Sequence, residues 1–438
     1  MNNFEYQGIP LAGVNLWVNP DLSLSPESHS VASINSTDVA EASARLQRFA
    51  PLLMQLFPDL APDHGLIESA LLAVEPPVQV PDGVGRFWIK ADHDLPVAGS
   101  IKARGGIHEV LQFVESVALA HGLWSHGQST TVLASDTARS VLGQYRVAVG
   151  STGNLGMSIG LISAALGLRA EVHMSSEAKA WKKKRLREHG VTVFEYDGDY
   201  ALAVQAGREE ALKDPHTHFV DDEKSPSLFA GYAVAAERLQ RQFQEQGLSV
   251  DAAHPLFVYL PCGVGGAPGG VCYGLKQVFG PDVHCFFIEP DQSACFDVQM
   301  RHPDQPGISI YQAGQTNVTQ ADGLAVPVAS QLAIEAMRPR LSGTITIPDA
   351  YLLADLFALH QRQALKVEPS AAAVCSGPRA LFNTVSGRQY LAQHGLYAVL
   401  PQANHVLWTT GGRFVPPDEY HGFLVRGQQA AHTLFGAV

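Results

Sequence analysis

The segment Pro96-Val97-Ala98-Gly99-Ser100-Ile101-Lys102-Ala103-Arg104-Gly105-Gly106 decides how the rest of the chain is read. The apolar run Arg86-Phe87-Trp88-Ile89-Lys90-Ala91 before it predicts a strand, and residues 103–121 after it predict a helix. Lys102 therefore ends a strand-to-helix connection, a place that presents side chains to a cleft at a sheet's edge. Most lysines are solvated surface charges. Here Ile101 and Ala103 are apolar neighbours, and Gly99, Gly105 and Gly106 let the backbone pass close to something bulky. Such surroundings lower an amine's pKa and favour the neutral form that attacks an aldehyde.

Around this segment the chain alternates. Further strands are expected at 145–150, 169–174, 191–196, 218–220, 256–260, 284–288 and 344–347, with helices at 155–166, 177–189 and 200–213. That alternation predicts an α/β fold with parallel sheets covered by helices on both faces. In residues 1–75, Ser36-Thr37-Asp38 is expected to cap a helix whose apolar positions include Leu46, Phe49, Leu53, Met54 and Phe57. Pro51 predicts a kink there, or two short helices.

Composition bounds the function. With 438 residues, 46% of them hydrophobic, the chain can bury a large core and is expected to fold as two domains. A formal charge of -12 offers no general attraction to nucleic-acid phosphates. The basic run Lys182-Lys183-Lys184-Arg185 reads as the solvated face of a helix, with guarding an anionic site as the lesser alternative. The five cysteines show no metal-ligand spacing and fit reduced thiols in a cytoplasmic protein. The eighteen histidines form no metal signature, since Gln112 replaces the second histidine of H-E-x-x-H after His108-Glu109. Neither an export signal nor an 18-residue apolar span is visible, so a soluble protein is expected, with no membrane partner.

Two more segments carry chemistry. In Gly150-Ser151-Thr152-Gly153-Asn154, hydroxyls and N–H groups fall near a helix N-terminus. They suit an anion such as a carboxylate, and equally suit an ordinary helix cap. In Cys262-Gly263-Val264-Gly265-Gly266-Ala267-Pro268-Gly269-Gly270, a strand enters and a helix over 271–279 leaves, as in a phosphate-binding turn. A dinucleotide fingerprint fails because Pro268 occupies the third glycine, and no G-x-x-x-x-G-K-[ST] is present. A tight turn without a ligand remains the competing reading.

Gly99-Ser100-Ile101-Lys102-Ala103-Arg104-Gly105-Gly106 resembles the cofactor-lysine motif of the fold-type II pyridoxal-phosphate enzymes, and within them that of the D-serine dehydratases. The other two segments follow in the family's order, and the resemblance runs from about Phe87 to Pro416. It implies a tryptophan synthase β-like architecture of two parallel-sheet α/β domains with the cofactor in the cleft between them. The domains implied are a large one (76–138 and 222–438), a small inserted one (139–221) and an accessory helical segment (1–75). Lys102 is then the catalytic residue and holds pyridoxal 5'-phosphate. Asn154 contacts its ring hydroxyl, Gly263, Val264, Gly265 and Gly266 its phosphate, and Thr410 its pyridine nitrogen. Ser100, Ser151, Thr152 and Gly153 bind the substrate carboxylate. A hydroxyl rather than an acid at the ring nitrogen favours loss of a β-leaving group over racemisation or transamination. Where members of the family usually carry glycine this chain has Ala267, a cost of roughly 1 kcal/mol if its φ is positive.

Asp221-Asp222-Glu223 is expected near the site, with one carboxylate facing a substrate hydroxyl and the others at the surface. Glu368 is a candidate ligand for a monovalent cation, K+ or Na+, as in other members. The activity implied is α,β-elimination of an amino acid, D-serine to pyruvate and ammonia, with D-threonine to 2-oxobutanoate beside it. L-serine or L-threonine on the same machinery, and a non-catalytic cofactor-binding protein, are the alternatives. The partner implied is a small amino-acid substrate, in a monomer or small homo-oligomer.

Overall fold

The computed structural model describes residues 11–23, 31, 33–151, 153–176, 178–197 and 200–436. In chain order its strands are β1 (Asn15–Val18), β2 (Leu71–Val74), β3 (Arg86–Ala91), β4 (Arg146–Gly150), β5 (Arg169–Ser175), β6 (Thr192–Tyr196), β7 (Thr217–Val220), β8 (Leu256–Pro261), β9 (Val283–Pro290), β10 (Gly343–Ile347) and β11 (Asn404–Thr409). The helices that bear on function are α1 (Ser36–Leu56), α2 (Lys102–Ala120), α3 (Asn154–Leu166), α4 (Ala180–Glu188), α5 (Pro226–Ala233) and α6 (Gly266–Phe279).

The chain divides into two compact units, one of 1–30, 70–93 and 236–438, the other of 31–69 and 94–235. The first holds a seven-stranded sheet in the order β1-β10-β9-β8-β11-β3-β2. Its interior pairs are parallel, and antiparallel β1 and β2 close its two edges. Strands β8, β9 and β11 are buried along their whole length, which is why they read as unbroken apolar runs. The half-exposed edge strands are four residues each, too short and too mixed to register in the sequence.

The second unit holds a parallel four-stranded sheet, β6-β5-β4-β7, with α3 leaving β4. Helix α1 belongs to this unit and departs from expectation twice. Asn35, not the serine after it, is the N-cap, and Asp38 reaches back to the Asn35 N–H at 2.8 Å to complete a capping box. Pro51 stays inside a continuous helix, because it lies in the last two turns with an exposed ring and removes a single backbone bond. The basic run departs in part, since Lys184 is exposed as expected. Lys182 and Lys183 are buried (2% and 7% exposed), and Lys183 donates to Ser176 O and Glu195, so this face of α4 is packed rather than solvated.

Candidate functional site

In the second unit, the connection ahead of α2 is held in a conformation that L side chains rarely adopt. Val97 has φ 71° and Gly99 φ 63°. For a β-branched residue that is a strained backbone, a cost of about 1–3 kcal/mol that surrounding structure must hold in place. Gly99 N–H donates to Leu95 O at 3.0 Å, closing the turn. Lys102 is the first residue of α2 rather than the residue before it.

Its surroundings differ from those expected. Lys102 Nζ forms an ion pair with Asp222 Oδ2 at 2.8 Å and lies 5.8 Å from the centre of the Tyr232 ring. Gly105 and Gly106 make room for protein, not for a ligand. A Cβ on Gly105 would stand 2.6 Å from Leu228 O and from the Tyr232 ring, and one on Gly106 2.7 Å from Ser158 Oγ. Helices α5 and α3 therefore press directly onto the first turns of α2, and Ser158 Oγ donates to Lys102 O at 2.9 Å. Tyr232 is fully buried, and burial, with Asp222 and Glu109 nearby, holds its phenol well above the ordinary tyrosine range.

Three buried polar atoms close to Lys102 in sequence or in space have no hydrogen-bond partner among the described residues: Ser100 Oγ, Asp222 Oδ1 and Tyr232 OH. Buried polar groups are ordinarily satisfied. Orphaned donors and acceptors around one lysine are what a polar small molecule held at that lysine would complete.

Of the three acids in sequence, Asp222 is the one at Lys102. Asp221 takes two hydrogen bonds from Arg208, at 2.7 and 3.0 Å. Burial, reinforced by Asp221 and opposed by Arg208, raises the Glu223 carboxyl above its usual range. None of the three is a fully exposed surface acid. Tyr232 escaped the sequence reading because it sits in the apolar run 228–236 and looks like core.

The carboxylate-loop residues divide. Ser151 Oγ accepts from Gly153 N–H at 3.2 Å and Gly156 N–H at 3.0 Å, so its oxygen serves the turn and the start of α3. Asn154 begins α3, and Gly153 is its N-cap. A Cβ on Gly153 would lie 3.3 Å from Lys182 Nζ, which sets a buried lysine amine beside this loop. Thr152 lies outside the described residues.

The first unit carries the glycine turn. Helix α6 begins at Gly266, five residues earlier than expected, so Ala267 lies within the helix and has no positive φ. The left-handed residue is Gly265, at φ 104°, and a Cβ there would stand 2.5 Å from the Phe296 ring. No side chain caps this helix. Val264 O accepts from Ser330 N–H at 2.8 Å, and Gly263 packs against the backbone of Gly323 and Leu324. An uncapped N-terminus after a glycine turn presents N–H groups and a positive dipole end, the requirements for a phosphate.

At the end of β11 the two threonines differ. Thr409 Oγ1 is engaged by Lys90 O at 2.8 Å and His93 Nδ1 at 2.7 Å. Thr410 Oγ1 is buried and without a partner among the described residues. That leaves Thr410 as the hydroxyl open to an acceptor such as a ring nitrogen. Gly411 O accepts from Glu368 N–H at 2.9 Å, which ties the turn after β11 to the buried Glu368. Among the described residues no group of three or more His, Cys, Asp or Glu is arranged to hold a metal ion, and no helix is long and apolar enough to cross a membrane.

Comparison with known proteins agrees with this arrangement. The model of the family described as pyridoxal-phosphate dependent enzyme matches residues 76–391. A probable D-serine dehydratase of Paracidovorax citrulli is 56% identical over 373 residues, 84% of this chain and 83% of that protein. Another, from Acidovorax ebreus, is 52% identical over 422 residues, 94% of each. Among solved structures, diaminopropionate ammonia lyase from Escherichia coli in complex with D-serine aligns with TM-score 0.72 and 18% identity, over 95% of this chain and 98% of the other. That likeness establishes the shared α/β fold of the fold-type II enzymes. The matched span, the identities and the orphaned groups around Lys102 lead to one assignment: the chain belongs to the pyridoxal-phosphate-dependent enzymes.

Proposed function

We propose that this protein is a D-serine ammonia-lyase that converts D-serine to pyruvate and ammonia. The observation that carries the reading is the 2.8 Å pair of Lys102 and Asp222 among buried groups that lack partners. The group of relatives named above supports D-serine as the substrate.

Lys102 would hold the cofactor through Nζ, the N-terminus of α6 with Gly263, Val264, Gly265 and Gly266 would take its phosphate, and Thr410 its ring nitrogen. Asn154 would contact its ring hydroxyl. Bound pyridoxal phosphate supplies the electron sink that makes a substrate Cα–H acidic. The chain's own groups do the rest. The ammonium of Lys182 and the hydroxyls of Ser100, Ser151 and Thr152, with the backbone at Gly153, orient the carboxylate. Lys102 Nζ, once freed, is a base for Cα–H. Asp222 is within proton-transfer reach of Lys102, and its open Oδ1 suits protonation of the leaving hydroxyl. Water leaves from Cβ, and the released unsaturated amine hydrolyses to pyruvate and ammonia. The buried Tyr232 ring keeps bulk water off this side of Lys102.

The test is pyruvate release from D-serine and L-serine in parallel, with Lys102→Ala as control. The expected result is pyruvate from D-serine, lost by about a thousandfold or more in the variant. Pyruvate mainly from L-serine would move the protein to the L-serine/threonine branch.

A further inference from the structure

Glu109 lies two turns beyond Lys102 on α2, at the i,i+7 position that returns to the same face of the helix. It is 4% exposed, and no step proposed above uses it. Both of its carboxylate oxygens are engaged. Oε1 meets His218 Nε2 at 3.0 Å, and Oε2 accepts the hydroxyl of Ser225. Ser225 Oγ in turn accepts from Leu228 N–H at 3.0 Å as the N-cap of α5. His218 ends up stacked on Phe113 of α2, with ring centres 4.8 Å apart.

His218 is in β7 and Ser225 opens α5, so these bonds grip the two ends of one short connection. Asp222 is in its middle. Helix α2 thus touches this connection twice, through Lys102 at Asp222 and through Glu109 at the flanks. The first contact depends on the charge of Lys102, and it is lost whenever that amine is otherwise occupied. The second does not. We propose that Glu109 is a positioning residue: through Ser225 and His218 it fixes the 218–225 connection so that the Asp222 carboxylate stays at the reacting atoms when Lys102 no longer pairs with it.

This rests on the elimination reading for its effect on turnover, and the experiment separates the two. Full-length Glu109→Gln, Asp222→Asn and the double variant are compared with the unaltered protein; Glu109→Ala is a harsher companion. A glutamine removes the charge and replaces one acceptor oxygen with an NH2 donor, so one of the two bonds must reverse direction or break, and alanine removes both. Hydrogen exchange of the full-length protein in a Lys102→Ala background, where the pair with Asp222 is absent, reads the connection directly. Glu109→Gln is expected to speed exchange in peptides spanning 217–228 by about fivefold or more, with the far half of α2 unchanged. In the loaded protein, Glu109→Gln is expected to lower kcat by about tenfold with KM within about threefold, and to change kcat less than about twofold in the Asp222→Asn background. Unchanged exchange, or effects on kcat that multiply independently of Asp222, would overturn the assignment. If the unaltered protein releases no pyruvate from D-serine, the substrate reading fails, and the exchange arm still decides whether Glu109 holds the connection.

Discussion

Gly105-Gly106 at the start of α2 and Gly265-Gly266 at the start of α6 look alike in sequence, two small residues where a helix begins. The structure gives them opposite tasks. On α2 the missing side chains are filled by other parts of the protein, Leu228 O, the Tyr232 ring and Ser158. Before α6 the need is conformational, since Gly265 turns through φ 104° to leave the first N–H groups uncapped. Glycine beside Lys102 reports helix–helix contact, and glycine before α6 reports backbone handedness.

Substitutions break or sharpen that contrast. The largest effect is expected from Gly105→Ala, whose Cβ meets a backbone oxygen and a buried ring at 2.6 Å. Overpacking of this kind costs about 1–3 kcal/mol. Denaturant unfolding should register it, and kcat should fall with it because Tyr232 and Lys102 share the displaced contact. Gly265→Ala combines an unfavourable φ with a 2.5 Å approach to Phe296. Its signature should be a cofactor dissociation constant raised by about tenfold in an absorbance titration, since the turn's N–H groups move.

His108, on the same packed face of α2, gives a pH test. Its ring is bonded to Ser227 O at 2.9 Å and Arg45 Nη1 at 3.0 Å, and burial, with the Arg45 charge, lowers its pKa from 6.5 to about 3. The folded state therefore holds it neutral while the unfolded chain takes a proton below 6.5. Its stability contribution is complete above that pH and is lost as pH falls toward 3, by up to about 1.4 kcal/mol per pH unit. Unfolding free energies measured between pH 6.5 and 4 should fall less steeply for His108→Gln. The smallest effect is expected from Ala267→Gly. Since Ala267 is helical, glycine should cost about 0.5–1 kcal/mol and leave cofactor affinity unchanged. Tighter cofactor binding in that variant would mean that residue 267 belongs to the turn.

Much of the fold was legible because burial leaves a local mark. Strands such as β8 and β9 are enclosed on both faces and read as apolar runs, and the expected bounds of β3 are the observed ones. What escaped was information that no local window holds. The edge strand β1 is ordered by β10, near the other end of the chain, and β2 is four residues laid against the nearby β3. Lys183 looks solvated because lysine ordinarily is, and its burial depends on acceptors supplied by β6 and the turn before α4.

The site divides along the same line. By itself the sequence determined the α/β class and singled out Lys102, the asparagine loop and the glycine turn as candidates, since each is a run of adjacent residues whose backbone and side-chain chemistry acts locally. Only the tertiary structure decided that Asp222 rather than Asp221 or Glu223 faces Lys102, across 120 residues of chain. It alone decided that Tyr232 lines that lysine, that Ser151 spends its oxygen on its own turn, and that Thr410 is the threonine left open. The physical reason is that a hydrogen bond or ion pair is fixed by where two elements come to rest, and neighbouring residues of like type differ only in the direction the packed backbone points them.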